Sequence, residues 1–359
     1  MHIDYTLKSD RRTEQFVPTE QLIFGKTRTD HMFLMDYDGE QWTNARVVPY
    51  GDIAVAPGAV VLHYGQEIFE GCKSFKHEDG EIYGFRWDEN AKRLNESAKI
   101  MIMPEIDVEI QLEAMHALMD VERLWFPEQD GASMYLRPFM FGTSDSLGVK
   151  PSKTYTYCVF LSPSGPYYKA GFSDPIKLLI TSRFHRAAPG GSGAAKAGGN
   201  YGCSMRSIQF AQKFDASQVL YLDATNQFIE EAGAMNHYHV TKDNEVIIPH
   251  FTDTILKSIT SCSMLELELE GLTIRQEFIG FQKFMADIQS GHITECGGFG
   301  TAAGVSPVGS YILENETTYT VGEGKIGPVT QRLYDTLTGI QKGSIKAPDG
   351  WLQKVERKH

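Results

Sequence analysis

A single lysine, Lys196, stands in a run of glycines and other small residues that extends from Arg186 to Gly202. Few groups in this run could solvate or pair an ammonium, and desolvation disfavours the charged form of an amine. An uncharged lysine amine can form a Schiff base with a carbonyl compound, for which pyridoxal phosphate is the common partner. The alternative is a solvated lysine on a flexible glycine loop, the usual state of an isolated lysine.

Pyridoxal phosphate also needs an acid that faces its ring nitrogen, donors for its phosphate and a donor near its phenolic oxygen. The adjacent carboxylates Glu230 and Glu231 are candidates for the acid. Taken alone, such a pair is typical of a solvated turn between two strands. The alternative is a partly buried acid that needs a cationic partner.

Three segments offer donors for an anion. Arg93 lies in a segment predicted to be helical, so it can bind phosphate only if that helix face turns inward. Residues 251–263 are predicted to be a turn that enters a helix, where free N–H groups can hold an anion. A helix capped by Thr252 or Asp253 without any ligand is the alternative. The glycine-rich segment 297–304 could form a second anion nest, or only a tight sheet crossover.

Nucleotide and metal motifs are not found in the sequence. A P-loop needs GxxxxGK before Ser or Thr, whereas Gly193 stands only three residues before Lys196, and GxGxxG fails as well. No HExxH and no clustered ligand spacing occurs, so no metal site is expected. Three histidines in strand-like runs, His63, His237 and His239, are interpreted as core or surface residues.

Composition sets the broad class of the protein. The 359 residues are 42% hydrophobic and 22% charged, which is ordinary for a globular chain long enough for two domains. A formal net charge of −12 argues against nucleic acid or an anionic membrane as the main partner. Five scattered cysteines favour a reducing compartment, and no segment resembles a secretory signal or a membrane span. We therefore expect a soluble, cytoplasmic protein.

The hydrophobic spacing predicts helices and strands in alternation. Helices are expected from a cap at Asp88 to about Met101, at 109–125, from near Asn200, at 254–266 and through Ile340 near the C-terminus. Strands are expected at 133–141, 154–161, 176–183, 218–223, 227–231, 236–241 and 244–248, with a hairpin turn at Asp38–Gly39.

This pattern is typical of a mixed α/β protein with two domains and much antiparallel sheet. The proline- and glycine-rich stretch 164–176 is the best linker candidate. The predicted domains are therefore 1–163 and 177–359.

Five ordered motifs resemble those of branched-chain amino acid aminotransferases, which belong to the fold-type IV class of pyridoxal phosphate enzymes. The resemblance runs from about Phe24 to Val308. Its motifs are LHYGQEIFEGCKSF (62–75), YLRPFMFG with LGVKPS (135–152), AKAGGNYG (195–202), EEAGAMN (230–236) and GTAAGVSPV (300–308). The resemblance implies a D-amino acid aminotransferase-like fold, with a smaller α+β N-terminal domain and a larger C-terminal domain that binds the cofactor and has a barrel-like sheet.

The same resemblance implies roles toward pyridoxal 5′-phosphate. Lys196 would be the Schiff-base lysine, Glu231 the acid at the pyridine nitrogen and Tyr201 the donor to the phenolic oxygen. The residues that would hold the phosphate or line the cofactor are Arg93, Arg186, Ile259, Thr260 and Thr301.

On the substrate side, the resemblance implies an aromatic box suited to a branched aliphatic side chain, built from Phe24, Phe69, Tyr135 and Tyr167. Tyr64 and the backbone of Thr301 and Ala302 would meet the α-carboxylate. Arg137 would let the same box accept the side-chain carboxylate of glutamate. The loop with Leu147 and Val149 would reach into the neighbouring subunit's site, which implies a homodimer.

The implied activity is a ping-pong transfer of the amino group of leucine, isoleucine or valine to 2-oxoglutarate, which gives the branched 2-oxo acid and L-glutamate, and its reverse. The partners are then small amino and 2-oxo acids and a second copy of the chain. Alternatives are a D-amino acid aminotransferase or an aminodeoxychorismate lyase of the same fold. A non-enzymatic phosphate-binding module built on the glycine loops is a third alternative.

Overall fold

The computed structural model describes residues 1–20, 22–129, 131–165 and 174–358. The chain divides into two compact units. Unit 1 comprises Met1–Tyr167, Ala195–Gly198 and Gly339–His359, and unit 2 comprises Tyr168–Ala194 and Gly199–Thr338. Lys196 therefore belongs to unit 1 together with the rest of the segment 195–198, although the chain before and after this segment belongs to unit 2. The predicted domain boundaries and linker stay a prediction.

Unit 1 is built on one sheet. Its strands are β1 (Asp4–Tyr5), β2 (His31–Tyr37), β3 (Trp42–Pro49), β4 (Glu67–Phe69), β5 (Cys72–Lys76), β6 (Ile82–Phe85), β7 (Ser133–Gly142), β8 (Tyr155–Ser164) and β18 (Leu352–Lys354). Its helices are α1 (Val60–Tyr64), α2 (Trp87–Ile100) and α3 (Val108–Val121), and a 3₁₀ turn follows at Arg123–Trp125. The strand order is β1-β3-β2-β8-β7-β5-β6-β18, and β4 pairs with β7.

Alternation along β7 divides its side chains between two faces, because successive residues of a strand point to opposite sides. Met134, Leu136 and Met140 are fully buried in the core of unit 1. Residues of α2 and α3, among them Leu94 and Leu118, belong to the same core. The opposite face of β7, which carries the odd-numbered residues, is therefore available for other contacts.

The start of α2 differs from the prediction. The sequence predicts that Asp88 caps this helix, but the N-cap position is Arg86, which has a left-handed φ of 50° and whose side chain does not cap the helix. Asp88 lies in the first turn, where a carboxylate favours the helix dipole, and pairs with Lys92 at 2.9 Å. His63, expected in a strand, lies in α1 and is exposed.

Unit 2 contains the second sheet. Its strands are β9 (Ile176–Ile180), β10 (Gln218–Leu222), β11 (Ile229–Ala232), β12 (Met235–Thr241), β13 (Glu245–Pro249), β14 (Thr273–Glu277), β15 (Ile293–Gly300), β16 (Gly304–Leu313) and β17 (Thr318–Thr320). The remaining helices are α4 (Gly198–Ala211), a 3₁₀ turn (Gln212–Phe214), α5 (Ile259–Glu266), α6 (Phe281–Gln289) and α7 (Pro328–Lys342). No helix in the described ranges is long and apolar enough to cross a membrane.

Six strands of unit 2 close into a barrel. The sheet runs in the order β11-β10-β9-β16-β15-β12, and an additional pairing of β11 with β12 completes the ring. β13 and β14 extend the sheet beyond β12, and β17 pairs with β16. The predicted mixed α/β fold with a barrel-like sheet is confirmed.

The expected helix at 254–266 begins later than predicted. α5 starts at Ile259, and Ser258 caps it by accepting the N–H of Ser261 at 3.3 Å. The prediction that Thr252 or Asp253 caps this helix is wrong. Asp253 instead accepts the N–H of Gly190 at 2.7 Å and thereby stabilises the preceding loop.

Candidate active site

The backbone around Lys196 is hydrogen-bonded to β4 and α2 of unit 1. The N–H of Phe69 donates to the carbonyl of Lys196 at 3.0 Å, and Ile68 and Ala197 form an antiparallel bridge. The N–H of Lys196 donates to Oγ of Ser97 on α2 at 2.9 Å. The lysine segment therefore lies as a short added strand beside β4, and its side chain leaves a fixed backbone.

Five predicted site residues come together in unit 1. Nζ of Lys196 lies 4.9 Å from the ring centre of Phe69, and the Arg137 guanidinium carbon lies 4.7 Å from the same ring. Nη2 of Arg137 donates to the hydroxyl of Tyr135 at 2.9 Å. The ring of Phe24 meets the ring of Tyr135 edge-on at 4.8 Å. The result is an aromatic surface with one guanidinium and one amine. The fourth predicted wall residue, Tyr167, lies outside the described residues.

Gly71 permits the close packing of Tyr135. A Cβ at Gly71 would collide with the hydroxyl of Tyr135. Only glycine lets the ring approach the backbone this closely without displacing it.

Arg93 is turned inward, as a phosphate role requires, and is paired with an acid. Its Nε donates to Oε1 of Glu70 at 2.7 Å and its Nη2 to Oε2 at 2.8 Å. Asn90 also donates to Glu70, at 2.8 Å. Burial raises the pKa of Glu70, but the charge and hydrogen bonds of Arg93, with the charge of Lys196, outweigh it and lower the pKa below its ordinary value.

Sequence reasoning did not single out Glu70. The feature that could have identified it is its position: Glu70 is an acid in an otherwise apolar stretch, between the buried residues Ile68 and Cys72. An acid in such a place needs a cation.

The residues predicted for the α-carboxylate and the subunit contact lie near one another in unit 1. The hydroxyl of Tyr64, on α1, donates to the carbonyl of Leu147. Leu147 and Val149 have 71% and 85% of their surface exposed, although both are apolar. Tyr64 itself is 40% exposed.

Glu231 is a buried carboxylate in the sheet of unit 2. It occupies β11, between β10 and β12, and is 2% exposed. Nε of Arg186 lies 2.9 Å from its Oε2, and Nη1 of Arg186 donates to the carbonyls of Gly193 (3.0 Å) and Thr254 (2.8 Å). The interpretation of Glu230 and Glu231 as a solvated turn is wrong; Glu231 is a buried acid with a cationic partner.

Asn236 connects Glu231 to the start of α5. Its Nδ2 donates to Oε1 of Glu231 at 3.3 Å and to the carbonyl of Leu256 at 2.9 Å. Its Oδ1 accepts from the N–H of Ser258 and from Oγ of Ser261. The N–H of Leu256 also donates to Oε1 of Glu231 at 2.9 Å. Sequence reasoning gave Asn236 no role, although it closes the EEAGAMN motif.

The other predicted cofactor contacts lie at element ends. Ile259 and Thr260 are the buried first residues of α5, where backbone N–H groups have no acceptor within the helix. Thr301 and Ala302 are half-buried in the turn between β15 and β16. Tyr201 is half-buried in the first turn of α4.

The residues present fit pyridoxal phosphate. In unit 2, Glu231 is a buried carboxylate held by three donors, which suits a protonated ring nitrogen, and the start of α5 suits a phosphate. In unit 1, Lys196 is an amine on a fixed backbone. In the described parts of the chain, no group of three or more His, Cys, Asp or Glu side chains is arranged to hold a metal ion.

Comparison with known proteins agrees with this geometry. Residues 67–311 match the model of the amino-transferase class IV family, and the chain belongs to that family. It is 40% identical over 335 residues to "Branched-chain-amino-acid transaminase 1" of Bacillus subtilis, which covers 92% of this chain and 94% of that protein. The family predicted from the motifs is confirmed.

Solved structures show the same relationship. The branched-chain amino acid aminotransferase from Escherichia coli superposes with a TM-score of 0.72 at 28% identity, covering 91% of this chain and 99% of that one. A second branched-chain amino acid aminotransferase, solved with pyridoxamine 5′-phosphate, has a TM-score of 0.71 at 25% identity and covers 90% and 98% of the two chains.

Proposed function

We propose that this protein is a branched-chain amino acid aminotransferase that uses pyridoxal 5′-phosphate. It moves the amino group of leucine, isoleucine or valine to 2-oxoglutarate, and back. The observation that carries the proposal is the cluster of Phe24, Phe69 and Tyr135 around Arg137, beside Lys196. Aromatic walls suit a branched aliphatic side chain, and a guanidinium suits the second carboxylate of glutamate. The names of the relatives support the same substrates.

Each cofactor contact has a proposed role. When bound, pyridoxal phosphate supplies an aldehyde that takes the amino group and a ring that accepts electrons when the Cα–H bond breaks. Lys196 holds the cofactor covalently, Glu231 keeps the ring nitrogen protonated and Tyr201 donates to the phenolic oxygen. The remaining proposed contacts, which hold the phosphate or line the cofactor, are Arg93, Arg186, Ile259, Thr260 and Thr301.

Lys196 is also the group that moves the proton. Once the substrate amine has replaced it on the cofactor, its uncharged Nζ would take the proton from the substrate α-carbon as a general base and would donate it, as a general acid, to the cofactor carbon that keeps the amino group. The contacts of Lys196 with Ser97 and β4 fix where the side chain starts. Tyr64 and the backbone of Thr301 and Ala302 orient the substrate α-carboxylate.

A homodimer is part of the proposal, with Val149 and Leu147 reaching the neighbouring site. Its support is the exposed apolar surface of Leu62, Leu147 and Val149, with Leu62 58% exposed. Large exposed apolar groups of this kind mark interaction sites. Sedimentation of the wild type and of Val149→Asp tests this: a dimer that weakens in the variant supports it, and a monomeric wild type refutes it. None of the five cysteines, all of which lie among the described residues, forms a disulfide, and this supports a reducing, cytoplasmic location.

A donor panel with 2-oxoglutarate as acceptor tests the activity. Leucine, isoleucine and valine should each yield glutamate, and D-alanine should not. Conversion of D-alanine or of aminodeoxychorismate, with leucine inactive, would establish one of the alternative activities of the same fold.

The lysine assignment has its own test. Borohydride reduction of the holoenzyme followed by peptide mass spectrometry should place the adduct on Lys196. Lys196→Ala should lose turnover, while Lys99→Ala, which removes an exposed amine on α2, should keep it. An adduct on another lysine, or full turnover by Lys196→Ala, rules the assignment out. A wild type that binds no pyridoxal phosphate removes the cofactor proposal itself.

A further inference from the structure

Glu67 lies on the same face as the proposed substrate groups. In β4, Glu67 and Phe69 point to one side because they are two residues apart. β4 pairs with β7 so that Glu67 is opposite Phe141 and Phe69 is opposite Phe139. Arg137 lies two residues before Phe139 on β7 and therefore shares this face. The structure thus puts a carboxylate on the face that carries the Arg137 guanidinium.

The carboxylate of Glu67 is held next to the lysine segment. It accepts the backbone N–H of Gly198, two residues after Lys196. A Cβ at Gly198 would collide with Oε1 of Glu67, so the carboxylate fills the space beside that glycine. The carboxylate therefore has a defined position and is not a freely moving surface group.

Arg137 and Glu67 act on each other without direct contact. The charge of Arg137 stabilises the Glu67 carboxylate, yet in the described ranges no basic nitrogen forms an ion pair with Glu67 within 4.0 Å. Nη2 of Arg137 is bonded to Tyr135, whereas its Nε is buried and has no hydrogen-bond partner among the described residues. Nη1 of Arg137 has no hydrogen-bond partner among the described residues either, and it is not buried, so it is the donor that remains for an incoming carboxylate.

Other charges around β4 are few. The segment 195–198 contributes Lys196, and α2 contributes Arg93, which is engaged with Glu70. Burial raises the pKa of Glu67 more than Arg137 and the Gly198 N–H lower it, so the pKa lies above its ordinary value. On acidification Glu67 therefore loses its negative charge at a higher pH than an exposed glutamate does.

We propose that Glu67 sets the preference between monocarboxylic and dicarboxylic substrates by opposing the second carboxylate at Arg137. This inference rests on the proposed function. A γ-carboxylate that approaches Arg137 is attracted by the guanidinium and repelled by Glu67, whereas the aliphatic side chain of leucine has no charge for Glu67 to repel. Glu67 thereby weakens binding of glutamate and 2-oxoglutarate relative to the branched substrates.

Two unreactive ligands test this on the holoenzyme. Glutarate has the two carboxylates of glutamate without the amine, and 4-methylpentanoate has the carboxylate and branched chain of leucine. Calorimetry should show that Glu67→Gln binds glutarate at least about fivefold more tightly than the wild type, as expected for removal of one nearby like charge. Binding of 4-methylpentanoate should change by less than about twofold.

Matched variants and pH separate this role from a structural one. Glu67→Asp keeps the charge and should retain most of the discrimination against glutarate, and Glu96→Gln removes an exposed acid on α2 and should change neither ligand. Wild-type affinity for glutarate, relative to 4-methylpentanoate, should improve as the pH falls and Glu67 is protonated. This ratio should change less with pH in Glu67→Gln.

The contrary results are distinct. Equal changes in the affinity for both ligands would show that Glu67 only supports the Gly198 backbone. No change in the affinity for either ligand would show that Glu67 does not act on Arg137. Each of these results overturns the inference, and neither affects the proposed function as long as the wild type transaminates leucine. Failure of the wild type to transaminate leucine would instead refute the proposed function, and the inference with it.

Discussion

Arg93 and Glu70 meet in a two-pronged ion pair, with Nε to Oε1 at 2.7 Å and Nη2 to Oε2 at 2.8 Å. Both side chains are buried, and Asn90 adds a third donor to the carboxylate. Two parallel bonds fix the plane of the guanidinium as well as its position. Glu70 therefore orients the arginine that we propose as a phosphate contact.

Removing the acid of this pair should destabilise the fold. Glu70→Gln leaves Arg93 as a buried charge without its partner, so the free energy of unfolding should fall by about 3–5 kcal/mol. Urea denaturation measures this. The double variant Glu70→Gln/Arg93→Met should lose less than the sum of the single changes, because one substitution already removes the pair. Strict additivity would contradict a coupled pair.

Lowering the pH should destabilise the fold by protonating Glu70. Because the folded-state pKa of Glu70 is lowered, its contribution to stability is full above the ordinary glutamate value and disappears as the pH falls through the folded value. The wild type should therefore lose more stability than Glu70→Gln as the pH falls below about 4.5, the ordinary value for this carboxyl, whereas the two proteins should change in parallel from pH 7 down to that value. Parallel pH profiles for the two proteins below that value as well would show that Glu70 does not titrate in this way.

Arg186 should not be replaceable by lysine. It contacts Glu231 and the carbonyls of Gly193 and Thr254, and an ammonium lacks the planar fork that reaches all three. Arg186→Met should lower the free energy of unfolding by about 3–5 kcal/mol, with Arg186→Lys between it and the wild type. The matched control is Arg183→Lys, whose arginine is 63% exposed and pairs with Glu314; it should change stability by less than about 1 kcal/mol.

Ser97 should matter for turnover as well as for stability. Ser97→Ala removes the acceptor for the N–H of Lys196, so stability should fall by about 1–3 kcal/mol and kcat should fall more than KM changes. Ser207 is a comparable buried serine that bonds the hydroxyl of Tyr221 in unit 2. Ser207→Ala should lose similar stability and keep kcat, and an equal loss of kcat in both variants would argue against a positioning role.

The buried histidines of β12 should make the fold acid-sensitive. Burial lowers the pKa of His239 to about 3, and the pKa of His237 also lies well below its ordinary value. Both are neutral when folded, so unfolding takes up protons and stability falls as the pH drops from about 6.5 toward 3. His239→Leu should reduce this slope by up to about 1.4 kcal/mol per pH unit, whereas the exposed His250→Gln should leave it unchanged. An unchanged slope in His239→Leu would contradict the assignment.

Strands and amphipathic helices were predictable because their signals are local. The strands expected at 133–141 and 154–161 appear as Ser133–Gly142 and Tyr155–Ser164. The Asp38–Gly39 turn joins β2 to β3, with Oδ1 of Asp38 accepting the N–H groups of Glu40 and Gln41. Alternation and turn chemistry involve only neighbours in the chain.

Helix caps were less predictable, because a capping side chain can bond elsewhere. Asp253 bonds Gly190, 63 residues away in the chain, and Ser258 caps α5 in its place. Asp88 bonds Lys92 from inside the first turn. No local pattern distinguishes these outcomes, since the competing partners come from the fold.

The sequence alone determined the family, the candidate lysine and the aromatic character of the proposed substrate face, because ordered motifs and residue types survive without coordinates. Tertiary structure decided which charges meet. Glu70 was needed to hold Arg93, Asn236 to join Glu231 to α5, and Glu67 to face Arg137. These partners come from separate strands and helices, so their electrostatic effect depends on distances and burial that only folding creates.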